Sequence, residues 1–248
     1  MIEQGTANWS IQKTIREFVW NALDWIYPPS CCGCGIIGSD ICPECFSQVE
    51  IYRPDPTCKI CGGDANSTKI CPTCSNQNPR YDRICSWGIY SGILKLIIQE
   101  YKFNRRIKLA DFLIDPLVKC IVDWNPVIDI IVPVALSKQR MKTRGYNQSA
   151  IIAKMIAERI DVEFSGKALI RMKNTKPQVS LSAKERCLNV VDAFSANLSF
   201  VKGKNILLVD DIITTGATIN ECTKALKNSG ANKVYVFTIA RTKNQFNL

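Results

Sequence analysis

The 248-residue chain contains no histidine. That absence removes whole chemistries: Ser–His and Cys–His nucleophiles, the HExxH metallopeptidase motif and any imidazole general base. Long apolar runs are missing too. The longest, Ile128 to Leu136, carries Asp129 and Pro133 and falls short of the roughly 18 residues that a bilayer crossing needs. At the N-terminus, Glu3, Arg16, Glu17 and Asp24 interrupt every stretch that could act as the apolar core of a secretory signal. The sequence therefore predicts neither a membrane span nor a secreted precursor, and a cytoplasmic location is expected. Hydrophobic residues at 46% and charged residues at 22% are the balance of an ordinary folded protein, so a disordered chain is not expected either.

Cysteine is abundant. There are 13, and nine fall between Cys31 and Cys74. Without an export signal, this points to thiolate chemistry in a reducing compartment, not to a disulfide scaffold. Four CxxC pairs can be read: Cys31 with Cys34, Cys42 with Cys45, Cys58 with Cys61, and Cys71 with Cys74. Zn²⁺ takes four soft tetrahedral ligands, and a CxxC turn sets two sulfurs on one side of the ion. Gly35 and Gly62, each following a pair, let the knuckle turn tightly. The order repeats, a glycine-followed knuckle and then a proline-containing pair, which predicts one site from Cys31, Cys34, Cys42 and Cys45. A second would be built from Cys58, Cys61, Cys71 and Cys74. A cross-braced pairing stays open, as does Cys32 in place of Cys31, although the spacing of Cys32 to Cys34 fits poorly. Neither quartet leaves an open coordination position, so structural zinc that replaces a missing core is expected. Gly33, Gly35 and Gly38 spell GxGxxG, but with no strand before them or helix after they make no dinucleotide site. Cys85, Cys120, Cys187 and Cys222 stand singly and read as packing residues.

Lys plus Arg number 32 against 22 acids, a formal charge of +10. Each four-thiolate zinc site carries a net −2, so two sites would bring the total to +6. The chain stays basic, which favours polyanionic partners without choosing one.

Along the chain, Ile11, Ile15, Phe18, Val19, Leu23 and Ile26 recur at helical spacing over residues 10–27, and Pro28-Pro29 ends that helix. Three regions are expected: an N-terminal helix over residues 1–29, a zinc-binding module over 30–79, and an α/β domain over 80–248. In the last, strand-like runs occur near Ile84–Tyr90, Ile128–Val132, Val162–Phe164, Ile206–Val209 and Val234–Ile239. Helical stretches near Ile93–Tyr101, Leu109–Val122, Asn147–Ile160, Ser182–Val191 and Thr218–Ser229 alternate with them. Such alternation predicts a mainly parallel sheet flanked by helices.

The segment Ile206-Leu207-Leu208-Val209-Asp210-Asp211-Ile212-Ile213-Thr214-Thr215-Gly216-Ala217-Thr218 concentrates the chemistry. Four apolar residues make a buried strand, and two carboxylates stand at its C-terminal end, where open α/β sheets bind ligands. The loop from Thr214 to Thr218 has the parts of a phosphate cradle: backbone N–H groups, threonine hydroxyls, a glycine permitting close approach, and a helix N-terminus. No Walker sequence is present. Asp210 and Asp211 stand too near such a phosphate to be drawn to it, and suit sugar hydroxyls or a magnesium ion instead.

This segment resembles the phosphoribosyl pyrophosphate (PRPP) motif of type I phosphoribosyltransferases. With the cysteine knuckles, the run Arg140-Met141-Lys142-Thr143-Arg144-Gly145-Tyr146-Asn147-Gln148, the pair Tyr101-Lys102, and Arg171, Thr175, Gln178, Leu181, Arg186, Asn189 and Phe194, the chain resembles the ComF family over residues 28–241. These are competence-associated, phosphoribosyltransferase-like proteins of bacteria. The resemblance implies that Asp210 and Asp211 contact the ribose hydroxyls and that Thr214, Thr215, Gly216, Ala217 and Thr218 hold the 5′-phosphate. It implies that the loop around Val134, Ala135 and Ser137 receives pyrophosphate, neutralised by Arg140, Lys142 and Arg144, and that residues 171–186 form a closing hood. Zn²⁺ and Mg²⁺ with PRPP are the implied cofactors. Single-stranded DNA, handed onward inside the cell during natural transformation, and competence proteins such as a DNA helicase are the implied partners. A basic, aromatic run from Tyr101 through Phe103 to Arg106 fits strand binding. Two functions therefore compete, a DNA-handling competence protein with a PRPP/Mg site and a metabolic phosphoribosyltransferase with an unidentified acceptor. Transfer from PRPP needs positioning and cations more than proton transfer, so the lack of histidine excludes neither.

Overall fold

The structure is a computed structural model, and it describes residues 28–65, 68–172 and 192–243. The expected helix over residues 10–27, the helix over Ser182–Val191, Cys187 and the hood residues Thr175, Gln178, Leu181, Arg186 and Asn189 lie outside them. By packing, the chain divides into two compact units, one ending at Ser47 and one running from Gln48.

The first unit holds the first cysteine quartet and a short helix, α1 (Pro43–Ser47). The second opens with the other quartet and α2 (Pro72–Gln77), then β1 (Arg83–Ile89), α3 (Gly92–Phe103), α4 (Leu109–Trp124) and β2 (Ile130–Pro133). It continues through α5 (Lys138–Arg144), α6 (Gln148–Ile160), β3 (Glu163–Phe164), β4 (Leu169–Arg171), β5 (Phe194–Ala196) and α7 (Leu198–Val201). The chain then forms β6 (Asn205–Ile213), α8 (Ala217–Asn228) and β7 (Lys233–Arg241).

Five strands make an all-parallel sheet in the order β1-β7-β6-β2-β3. The apolar run Ile206–Val209 lies at its centre, fully buried, as a strand covered on both faces must be. Ile206 and Leu208 pack with Ile219, Cys222 and Leu226 of α8 and with Leu169 and Phe194 of the separate antiparallel β4–β5 pair. The strand's two-residue period turns Leu207 and Val209 to the opposite face. The β4–β5 pair was not foreseen from sequence, because strands of three residues carry too little alternation to be read.

β1 is an edge strand, and residues 50–60 cover it. Tyr52 N–H donates to Trp87 O (2.9 Å), Ile84 N–H to Ile60 O (2.7 Å) and Ile89 N–H to Glu50 O (2.8 Å). An edge left bare would offer its amides to other chains, and this cover removes that template. The second quartet is thus joined to the sheet. Arg241, at the end of β7 and 1% exposed, donates to Cys61 O (3.1 Å) and lies 4.5 Å over the Tyr52 ring. A Cβ on Gly62 would stand 2.5 Å from Ile84 O, so only glycine fits where the knuckle meets β1.

Candidate functional site: two thiolate clusters and a cleft at the end of the sheet

Within each unit the structure gathers one set of four sulfurs. Cys31, Cys34, Cys42 and Cys45 form one group and Cys58, Cys61, Cys71 and Cys74 the other, with all ligand atoms of a group within 4.8 Å of one another. A tetrahedral ion with Zn–S bonds of about 2.3 Å demands sulfur–sulfur edges of about 3.8 Å. Cys31 to Cys42, Cys34 to Cys42 and Cys61 to Cys71 are each 3.7 Å. Backbone amides turn toward the sulfurs: Gly33 and Cys42 toward Cys31 Sγ (3.4 Å each), Gly63 toward Cys61 Sγ and Cys71 toward Cys58 Sγ (3.3 Å each). Such donors steady thiolate charge and fix the knuckle. In the second cluster a hydrogen bond from Cys74 and the Gly63 amide hold Cys61 down at about 5, against the burial that opposes them. Cys74 is pushed up by the same bond and by burial. The sulfurs cannot all ionise together without a cation, and Zn²⁺ is the cation this donor set fits. Cys32 belongs to neither group.

The C-terminal end of the sheet opens into a cleft of about 380 Å³. Asp210, Asp211, Thr214, Thr215, Gly216, Ala217, Thr218, Val134, Ala135, Arg140 and Arg144 all line it, together with Tyr90, Gln99, Lys102, Phe103 and Arg171. Lys142 does not: it is exposed elsewhere on α5.

Each wall has a local cause. β6 carries the two carboxylates near its C-terminal end, and Gly216 (φ 74°) makes the left-handed turn into α8. Among the described residues, the backbone N–H groups of Thr214, Thr215 and Gly216 donate to no carbonyl or side chain, and they stand where an anion would meet the helix N-terminus. Opposite, Ser137 caps α5 by accepting from Arg140 N–H, and Gly145 (φ 81°) ends it. Asn147 caps α6 through Ala150 N–H, while its side-chain amide donates to Val134 O (3.0 Å) and ties that helix to the β2 loop.

The acids sit differently. Asp211 is 8% exposed and pairs with Lys102 Nζ at 2.8 Å. Asp210 accepts from Ser149 Oγ (3.0 Å) and from the Asp211 amide (2.9 Å). Burial, and then the charge of Asp211, raise Asp210 from 3.8 to about 7, although Lys102 and both hydrogen bonds oppose them. On the cationic side, Arg144 donates to Gln148 Oε1 (2.9 Å) and stacks 5.2 Å over Phe103. Burial, and the proximity of Arg140, lower the affinity of Arg144 and Arg171 for their protons. Three guanidiniums held close together, and partly dehydrated, prepare a place for a multiply charged anion.

Sequence reasoning underrated α3. Lys102 enters the acid pair from this helix, and Tyr101 anchors it. Tyr101 is wholly buried, donates to Gln148 O (3.0 Å) and accepts at its carbonyl from the Tyr146 hydroxyl. Tyr101 is therefore unavailable for stacking on bases, whereas Phe103 is 61% exposed. The signal was present in the pattern of α3, where Leu94, Ile97, Ile98 and Tyr101 form its buried stripe.

Two known domain families match parts of the chain. Residues 147–245 match the phosphoribosyl transferase domain family and residues 22–75 the double zinc ribbon domain family. The fold is thus that of a type I phosphoribosyltransferase preceded by a zinc ribbon. Competence protein F of Haemophilus influenzae is 30% identical over 214 residues, 83% of this chain and 92% of that protein. DNA utilization protein YhgH of Salmonella typhi is 31% identical over 208 residues, covering 82% and 90%. Competence protein ComFC of Bacillus subtilis is 27% identical over 235 residues, covering 92% and 91%. The chain belongs to the competence protein F (ComF) family. No helix among the described residues is long and apolar enough to cross a membrane.

Proposed function

We propose that the β6–α8 cleft binds PRPP with Mg²⁺, and that the protein acts in the cytoplasm during natural transformation, handling internalised single-stranded DNA. The observation that carries the PRPP reading is the juxtaposition in one cleft of the unengaged Thr214–Gly216 amides, two carboxylates and three guanidiniums. In this reading the loop from Thr214 to Thr218 receives the 5′-phosphate at the start of α8. Asp210 and Asp211 hold the ribose hydroxyls. Val134 and Ala135 offer backbone to the pyrophosphate, and Arg140 and Arg144 neutralise it.

Oxygen-rich Asp210 and Asp211, beside a ligand that brings its own phosphates, are the hard donors that Mg²⁺ prefers. When bound, the ion would supply neutralisation of the pyrophosphate. The chain's own part is positioning: it fixes the ribose by its hydroxyls and presents cations to the side where negative charge accumulates as the bond to C1 lengthens. Lys102 holds Asp211 in place before any ligand arrives.

The DNA role is supported by the names of the relatives, competence protein and DNA utilization protein, and by the +10 charge. Phe103, exposed beside Arg144 at the cleft, is the aromatic–cation pairing that single strands stack upon. Titration calorimetry with PRPP and Mg²⁺ tests the first part: binding is expected, and the Asp210→Asn, Asp211→Asn double variant should lose it. Unchanged affinity in that variant would refute the site. Fluorescence anisotropy with a labelled oligonucleotide over a salt series tests the second, where affinity indifferent to salt would count against phosphate contacts.

A further inference from the structure

Two cysteines outside the thiolate quartets, expected from sequence to stand singly, meet in the fold. Cys85 lies on β1 and Cys120 on α4, and their sulfurs are 3.6 Å apart. Both are partly exposed. Neither belongs to a four-sulfur cluster, and two sulfurs alone do not make a zinc site. The sulfurs stand at van der Waals contact, about 1.5 Å beyond a disulfide bond of about 2.05 Å.

We infer that Cys85 and Cys120 form a reversible disulfide site, closed by a low-molecular-weight disulfide such as glutathione disulfide and reopened by excess thiol. Either sulfur can donate to the other, and Cys120 is the attacking sulfur because its bond with Cys85 lowers its affinity for the proton, against the burial that raises it. Its thiolate attacks one sulfur of glutathione disulfide; that S–S bond breaks, one glutathione thiolate leaves, and a mixed disulfide forms on Cys120. Cys85 then loses its proton to solvent and attacks the Cys120 sulfur, which releases the second glutathione thiolate. Two protein thiols are oxidised and one glutathione disulfide is reduced.

The position gives the bond a consequence. The chain between the two cysteines contains Tyr90, Gln99, Lys102 and Phe103, the whole α3 side of the cleft. A bond from β1 to α4 closes that segment into a loop and removes freedom from this wall, whichever ligand the cleft takes.

Zinc-loaded full-length protein is equilibrated with glutathione redox buffers, quenched by alkylation, and digested with trypsin. The expected product joins the peptide spanning residues 84–95 to that spanning 120–138, with the loss of two hydrogens, and it disappears in reducing buffer. Hydrogen exchange at residues 99–103 is expected to slow upon oxidation, and the melting temperature to rise by roughly 5 °C. Cys120→Ser and, separately, Cys85→Ala should abolish the linked peptide while keeping the zinc content of the parent. Two glutathione adducts without a cross-link, or cross-links confined to the zinc quartets while residues 85 and 120 are alkylated, would overturn the inference.

Discussion

Placing two carboxylates side by side at the end of a buried strand costs the fold stability, and Asp210→Asn should return it. Asn keeps the shape and still accepts from Ser149 Oγ and from the Asp211 amide. What it removes is a charge that burial and Asp211 oppose, as the rise of Asp210 from 3.8 to about 7 records. Taken whole, that rise is worth about 4 kcal/mol in the ionised state. The sign follows from linkage. The folded carboxyl holds its proton where the unfolded one has lost it, so the Asp210 contribution is largest below the unfolded value, falls as pH climbs, and is flat above about 7. Asn does not titrate. The stability gap between variant and parent should therefore widen by about 1 kcal/mol between pH 6 and 8, reaching a melting-temperature gain of about 10 °C. Thermal unfolding of both zinc-loaded proteins, buffered over that window, measures it. A variant less stable than its parent, or a gap that does not change with pH, would refute the account of Asp210.

Other changes test other joints. Lys102→Met strips Asp211 of its partner and should cost about 2–3 kcal/mol, read by denaturant unfolding. Gly62→Ala drives a Cβ to 2.5 Å from Ile84 O at a positive φ, so a loss of 2 kcal/mol or more is expected, with faster zinc release to a chromophoric chelator. Tyr101→Phe removes the hydroxyl that donates to Gln148 O, a carbonyl that still serves the α6 ladder, and should cost about 1 kcal/mol in the same unfolding assay. Stripping zinc with a mercurial and a chelator should lower the melting temperature of the sheet itself, because the second thiolate cluster is bonded to β1 and β7; a sheet transition unmoved by zinc removal would contradict that bonding.

The parts legible in the sequence were those whose physics is local. The CxxC knuckles, the acidic end of β6 and the Thr-Thr-Gly-Ala-Thr turn state their chemistry within a dozen residues, because a metal knuckle or a phosphate loop is built from backbone close at hand. The five parallel strands and the helices between them were read from period and composition, and the observed bounds differ by a few residues at most ends. α5 was missed as a helix. Its residues Lys138–Arg144 bury nothing, so no apolar stripe betrays it, and it is defined instead by the Ser137 cap and the Gly145 stop.

What sequence could not carry are the pairings that the parallel topology alone creates. Lys102 and Asp211 meet because β1, entering at the edge, sends α3 back across the open end of the sheet, where β6 delivers its acids in the middle. Cys85 and Cys120 meet for the related reason that α4 returns along β1. Lys102, Cys85 and Cys120 lie on the stretch from β1 to α4, which precedes the segment that matches the phosphoribosyl transferase family. The ligand-facing loops of β6 and α8 fall inside that match. The wall opposite them, with Tyr90, Gln99, Lys102 and Phe103, falls outside it. In the proposed PRPP reading, the β6–α8 side would take the phosphoribosyl end, and the α3 side, with Lys102 and Phe103, would meet the second partner.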